Sequence, residues 1–268
     1  MIKIHGFLID LDGVLYTGEQ PIKGADEAIR FLEESGCPYR FVSNTTRKCR
    51  HSIAEKLLRM GLEIPEESIF TPAVAAVEYM KNTGRRRYRL LVTGDVDHDF
   101  PPATHNDGDN TTDYVIIGDA GDEITYASMN AAFRDLIQGA GIIALEKDRY
   151  WMAPDGLSLS AGPFVSALEY ATGKSAALMG KPSRDFFGLA LMDMGISADQ
   201  GIMIGDDIQT DVGGAQAAGM RGVLVRTGKY REEILKTSKI QPDLIIDSIA
   251  GIRQVIAAAD EERWERHL

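Results

Sequence analysis

Apolar runs too short for helices recur along this chain, and the segments between them place apolar residues at helical spacing. Phe7-Leu8-Ile9, Tyr39-Arg40-Phe41-Val42, Ile202-Met203-Ile204, Val223-Leu224-Val225 and Leu244-Ile245-Ile246 are rich in β-branched or aromatic residues and read as strands. Ala25, Ala28, Ile29 and Leu32 repeat at helical spacing and stop at Gly36, as Ile53, Leu57 and Met60 do before Gly61. Thr71-Pro72 opens a further helix with a capping hydroxyl and a proline in the first turn. Continuous apolar strands separated by helices require a mostly parallel sheet covered on both faces, because neither face tolerates water. The expected fold class is α/β.

The middle of the chain repeats the alternation. Leu90-Leu91-Val92, Val115-Ile116-Ile117, Ile142-Ile143-Ala144-Leu145 and Ala176-Ala177-Leu178-Met179 read as strands, with a helix over 123–138 and a polar, exposed connection over 95–113. From Asn44 to Gly180 there are 137 residues, whereas one crossover between parallel strands takes about 30. The surplus of roughly 100 residues carries strands and helices of its own and is too long for a loop. An inserted domain is expected at 76–176, interrupting a core made of 1–75 and 177–268.

Four apolar runs end in residues with chemistry. Asp10-Leu11-Asp12-Gly13-Val14 follows the first strand. Residues two apart leave a strand on one side, so Asp10 and Asp12 would face one point at the carboxyl edge of the sheet, where ligands of open α/β sheets bind; alone, the segment is also a plain Asp-Gly turn. Phe41-Val42 runs into Ser43-Asn44-Thr45-Thr46, whose hydroxyls and amides at a helix start suit an oxyanion or simply cap that helix. Leu178-Met179-Gly180 leads into Lys181-Pro182, a point charge for phosphate or a solvated lysine. Ile202-Met203-Ile204 is followed by Gly205-Asp206-Asp207 and then Asp211. Carboxylates gathered at strand ends repel unless a cation joins them. Mg2+ is a hard cation that uses one or two carboxylates together with phosphate.

Composition removes other classes. With 40 acids against 29 bases the net charge is −11, so neither nucleic acid nor an anionic membrane is an expected partner. No apolar run of about 18 residues suits a membrane span, and no charged-then-apolar leader precedes the first strand. Cys37 and Cys49 are the only cysteines; they form no disulfide framework or zinc motif, and a cytoplasmic location is expected. Two look-alikes fail on single residues. Asp95, Asp97 and Asp99 begin like a calcium loop, but Phe100 and Asn106 stand where its Gly and Glu belong. Gly173-Lys174-Ser175 ends like a P-loop, but Leu168 stands at its first glycine. Arg85, Arg86, Arg87 and Arg89 form a basic knot that reads as a solvated helix end or a phosphate or partner contact.

Taken in order, these motifs resemble the four motifs of the haloacid dehalogenase superfamily of phosphohydrolases, and the large insertion resembles the C2-type cap of its NagD-like branch. Phe41-Val42-Ser43-Asn44-Thr45-Thr46, Gly162-Pro163-Phe164-Val165 and Val212-Gly213-Gly214-Ala215-Gln216 are similar to segments of the haloacid dehalogenase-like hydrolase domain-containing proteins. The resemblance implies a Rossmann-like parallel-sheet core with an inserted α/β cap, and a Mg2+-dependent phosphatase of small phosphate monoesters. It makes Asp10 the nucleophile that forms an aspartyl-phosphate and Asp12 the general acid and base. It gives Mg2+ to the side chains of Asp10 and Asp206 and the carbonyl of Asp12, and the phosphoryl oxygens to Ser43, Asn44 and Lys181. Asp211 would orient Lys181 or a metal-bound water, and Asp207 would share that task or cap the following helix. In the family a cap loop corresponding to Lys147, Asp148 and Arg149 faces the site, although a solvated loop is the plainer reading of these residues. The expected ligand is a small phosphorylated metabolite, and the candidate protein partner is a second copy of the chain. Two alternatives stand: cleavage of pyrophosphate or phosphoramidates by the same residues, and non-catalytic binding of a phosphometabolite on the same fold.

Overall fold

The computed structural model describes residues 5–102, 111–153 and 155–260. The charged run at 261–268 and the 103–110 part of the expected connection lie outside the described residues. The chain gathers into two units. The first takes the residues up to Ser43, then Ile53–Phe70, then those from Lys181 onward; the second takes Asn44–Ser52 and Thr71–Gly180.

In the first unit six strands stand in the order Leu244–Ile246, Arg221–Val225, Gly201–Gly205, Gly6–Asp10, Tyr39–Val42 and Ile69–Phe70, every neighbour parallel. Gly6–Asp10 has neighbours on both sides and is buried throughout, which is why its apolar run is continuous and not alternating. Ile9 pairs with Ile204 and Asp10 with Val42. This register brings Asp10, Ser43 and Asp206 to or just past one edge of three neighbouring strands. Phe7, Ile9, Phe41, Ile202, Ile204 and Val223 pack with Ile29 and Leu32 of helix Ala25–Ser35 and with Ile252 and Val255 of helix Ile252–Asp260. Burying each large side chain of this kind contributes about 1.5–3 kcal/mol.

The second unit has its own parallel sheet, in the order Ala177–Leu178, Gly141–Ala144, Tyr114–Ile117 and Tyr88–Leu91. Ala132 and Leu136 of helix Tyr126–Ile137 and Val165 and Leu168 of helix Ala161–Thr172 pack on Val115, Ile117 and Ile142. The strand before Lys181 therefore ends in this sheet, because its partner is Gly141–Ala144, and the division falls at 180/181 instead of 176/177. Helix Pro72–Thr83, capped by Thr71 Oγ1 accepting from Val74 N at 3.4 Å, runs unbroken through the expected boundary at 75/76. Residues 44–52 join the second unit through polar ties: Cys49 N donates to Asp95 Oδ1 at 2.8 Å, Ser52 Oγ to Asp95 Oδ2 at 2.6 Å, and Asp119 N to Thr46 Oγ1 at 3.0 Å.

Two further expectations change here. The described start of the 95–113 connection is only partly exposed: Val96 and Phe100 are buried, whereas Asp97 and His98 between them are exposed. The basic knot is partly consumed by ion pairs, Arg87 with Asp113 at 3.1 Å and Arg89 with Asp135 at 2.6 Å. Strands Tyr150–Ala153 and Gly156–Leu159 form a separate ribbon whose pairing puts Tyr150, Met152, Leu157 and Leu159 on one exposed face. Among the described residues no helix is long and apolar enough to cross a membrane.

Glu146 is a buried acid that accepts from Ser160 Oγ at 2.5 Å, Ala161 N at 2.7 Å and Asp148 N at 2.5 Å. Burial pushes its carboxyl above the usual range in spite of these donors. It ties the loop at 147–149 to the first turn of helix Ala161–Thr172, and Lys147 of that loop pairs with Glu169 at 2.6 Å. Glu146→Ala strands three donors in a closed space and should lower stability by about 2–4 kcal/mol. The expected readout is a lower urea midpoint at unchanged slope.

Candidate active site

Four charged groups are buried at the carboxyl edge of the central strand. Asp10 ends strand Gly6–Asp10, Asp206 follows strand Gly201–Gly205, and Asp211 lies in the π-helical turn Ile208–Gly213. One carboxylate oxygen from each of Asp10, Asp206 and Asp211 lies within 4.8 Å of the others. Lys181 Nζ is 2.7 Å from Asp10 Oδ1 and 2.7 Å from Asp211 Oδ1. Asp10, Asp206, Asp211 and Lys181 are only 8%, 2%, 0% and 7% exposed. Gly205 makes the crowding feasible: a Cβ there would collide with the Asp211 side chain.

The electrostatics are short of positive charge. Burial pushes the carboxyl of Asp10 up; Lys181 opposes the shift and Asp206 adds to it. Burial does the same to Asp211, again opposed by Lys181 and reinforced by Asp10. It does so to Asp206 too, where the Lys229 N–H opposes and Asp211 reinforces. For Lys181 burial alone favours the neutral amine, but Asp10 and Asp211 outweigh it and hold the ammonium above the usual lysine range. With all three carboxylates ionised, one ammonium would leave a net double negative charge to be offset, and Asp206 Oδ1 is buried without a hydrogen-bond partner. An all-oxygen donor set with that charge fits a divalent cation.

The other expected residues fall differently. Pairing in the first strand stops at Asp10, and Asp12 sits exposed in the following turn. Strand alternation therefore does not carry both acids to one point, and the Asp12 carboxylate is outside the cluster. Ser43 follows Val42, with its N–H donating to Phe70 O at 3.3 Å. The run from Ser43 to Cys49 is a loop, since the helix begins only at Arg50. The hydroxyls are thus not at a helix start, and Asp95 and Asp99 take the Cys49 and Arg50 N–H groups instead. Asn44 belongs to the second unit, where its Oδ1 lies 3.3 Å from the place a Gly180 Cβ would take. Asp207 Oδ1 accepts from Gln209 N at 2.9 Å and Thr210 N at 3.0 Å, so it caps its own turn.

Residues 227–229 were not foreseen. Lys229 N donates to Asp206 Oδ2 at 2.7 Å, and Thr227 Oγ1 donates to Gly13 O at 2.5 Å. The available signal was a further apolar run, Val223-Leu224-Val225, ending in a Thr-Gly turn like the other motif-bearing strands.

The family model of haloacid dehalogenase-like hydrolases matches residues 7–100, and a HAD-hydrolase-like model matches residues 178–252. Human phospholysine phosphohistidine inorganic pyrophosphate phosphatase is 39% identical over 254 residues, 92% of this chain and 92% of its own. The chain belongs to the haloacid dehalogenase-like hydrolases. This hydrolase is also 42% identical over 228 residues to haloacid dehalogenase-like hydrolase domain-containing protein 2 of Bos taurus, covering 85% of this chain and 86% of the relative. Among solved structures it is similar to 4-nitrophenylphosphatase from Thermotoga maritima, with a TM-score of 0.81 at 26% identity, over 94% of this chain and 97% of that one. NagD from E. coli shares the fold, with a TM-score of 0.80 at 23% identity, over 92% and 97% of the two chains. The α/β class and the NagD-like branch expected from the motifs agree with these neighbours.

Proposed function

We propose that this hydrolase is a Mg2+-dependent phosphatase of small phosphorylated metabolites that works through Asp10. The observation that carries the proposal is the buried Asp10–Lys181–Asp211 array beside the unpartnered Asp206 Oδ1. A carboxylate oxygen of Asp10 attacks phosphorus, the bond to the leaving alcohol breaks, and Asp12 gives that oxygen its proton. Asp12, now ionised, takes a proton from water as the water oxygen attacks the aspartyl-phosphate, and inorganic phosphate leaves with Asp10 regenerated. An exposed Asp12 suits this exchange with leaving group and solvent better than a buried one. Lys181 would donate to the phosphoryl oxygens, aided by Ser43 and, from the family resemblance, Asn44. The Asp10 and Asp206 carboxylates and the Asp12 carbonyl would hold Mg2+, which when bound offsets the charge repulsion between phosphate and carboxylate. The second unit is proposed to act as a cap that selects the leaving group.

A second reading is cleavage of P–O–P or P–N bonds by the same residues, favoured by the name of the human relative. Assays of 4-nitrophenyl phosphate beside pyrophosphate, phospholysine and phosphohistidine separate the two. Ester turnover should appear with Mg2+ and fall by about 100-fold or more in EDTA. Faster turnover of pyrophosphate or a phosphoramidate would move the assignment to the second reading. A Mg2+-dependent thermal shift without hydrolysis of any of the four would leave a binding protein.

A further inference from the structure

The segment after strand Arg221–Val225 touches two separate parts of the site. Lys229 N holds Asp206 Oδ2 at 2.7 Å, which leaves Oδ1 as the buried oxygen without a partner. Thr227 Oγ1 holds the Gly13 carbonyl at 2.5 Å, joining positions 214 residues apart in sequence. Gly228 lies between the two bonds. A Cβ on Gly228 would collide with Asp206 Oδ2 and come within 2.6 Å of Gly13 Cα; one on Gly13 would collide with the same Asp206 oxygen and approach Gly228 Cα to 3.1 Å. Both glycines have positive φ, 82° at Gly13 and 61° at Gly228. The Asp206 carboxylate is thus gripped between two bare backbones at a place where any side chain would displace it.

We infer that residues 227–229 are a clasp that positions Asp206 against the Asp10–Gly13 turn and so sets the affinity of the site for a divalent cation. The inference presupposes the cation site proposed above. A carboxylate with one oxygen hydrogen-bonded cannot rotate freely, and its other oxygen is presented in one direction. Groups that orient metal ligands in this way commonly change metal affinity when removed. Holding a third carboxylate beside Asp10 and Asp211 is repulsive in itself, so a device that enforces the arrangement serves a cation and not the bare fold. The Thr227 bond locks the other side, since the Gly13 carbonyl is one residue from Asp12 and three from Asp10.

Calorimetric titration with Mg2+, without substrate, tests the clasp on the full chain, alongside melting temperature in EDTA. Thr227→Val keeps the shape and removes the donor; Thr227→Ser keeps the donor. Thr227→Val should raise the Mg2+ dissociation constant about tenfold or more at an unchanged melting temperature in EDTA, and Thr227→Ser should restore it. Gly228→Ala should weaken binding further, and if it does not fold the Thr227 pair still decides. Equal Mg2+ affinity in parent and Thr227→Val would overturn the clasp, as would weaker binding matched by a fall in EDTA melting temperature. A parent chain that binds no Mg2+ would instead remove the cation site itself.

Discussion

Asp10→Asn should lower kcat for 4-nitrophenyl phosphate by about three orders of magnitude or more, while melting no lower than the parent chain in EDTA. Asparagine has nearly the volume of aspartate but offers no anionic oxygen, so the nucleophile is lost without a cavity. The stability arm follows from the buried charges. Burial holds the Asp10 carboxyl above its usual range in spite of Lys181, so the ionised form is disfavoured in the folded protein. For such a group stability is fully present below the ordinary carboxylate pKa and is lost as pH rises through the raised value. The amide in the Asp10→Asn chain has no proton to lose, so the variant should gain on the parent as pH rises through that window. Lys181 keeps Asp211 as a partner at 2.7 Å, which limits the loss on the other side. Parent-like turnover in a folded Asp10→Asn chain would sink the mechanism.

Lys181→Met should be the most damaging of these substitutions to the fold, and it should impair activity as well. The side chain is buried between two carboxylates, and removing one partner of a buried ionic network costs about 3–5 kcal/mol. Methionine fills most of the space, so the loss is electrostatic and not a cavity. Without the ammonium the carboxyls of Asp10 and Asp211 rise further, because the group opposing their shift is gone. The deficit should therefore shrink as pH falls and these acids take up protons, and grow as pH rises. Urea unfolding without metal at about pH 5 and at about pH 8 reads this directly, and a deficit independent of pH would refute the charge account. Turnover should fall by about 100–1000-fold, since a preorganised donor to the phosphoryl oxygens is lost.

The parts legible in sequence were those whose cause is local. A parallel strand buried on both faces must be apolar throughout, so Phe7-Leu8-Ile9 and Ile202-Met203-Ile204 announced themselves, and the acids behind them followed. Asp12 departs from the expectation because strand alternation ends at Asp10, the last paired residue of its strand, two positions before it. Ser43 to Thr46 resembled a capping segment, but the helix took its caps from Asp95 and Asp99, over 40 residues away. The strand at Ala177–Leu178 has an unremarkable sequence, and only its pairing with Gly141–Ala144 tells which sheet it serves. The clasp was hidden for a similar reason, because Thr227 means little until Gly13 stands beside it.

The spacing of the buried pair also orders events during synthesis. Asp10 emerges 171 residues ahead of Lys181, and strand Gly6–Asp10 does not acquire its Gly201–Gly205 neighbour until later still. At ribosomal rates of about 5–20 residues per second, the acid waits on the order of 10–30 s for its counter-charge. Throughout that interval water must remain its partner. The nearly continuous stretch Thr71–Gly180, by contrast, is complete before Lys181 is made. The inserted unit is thus available to fold first, and the host sheet closes around Asp10 only when the carboxyl-terminal third of the chain arrives.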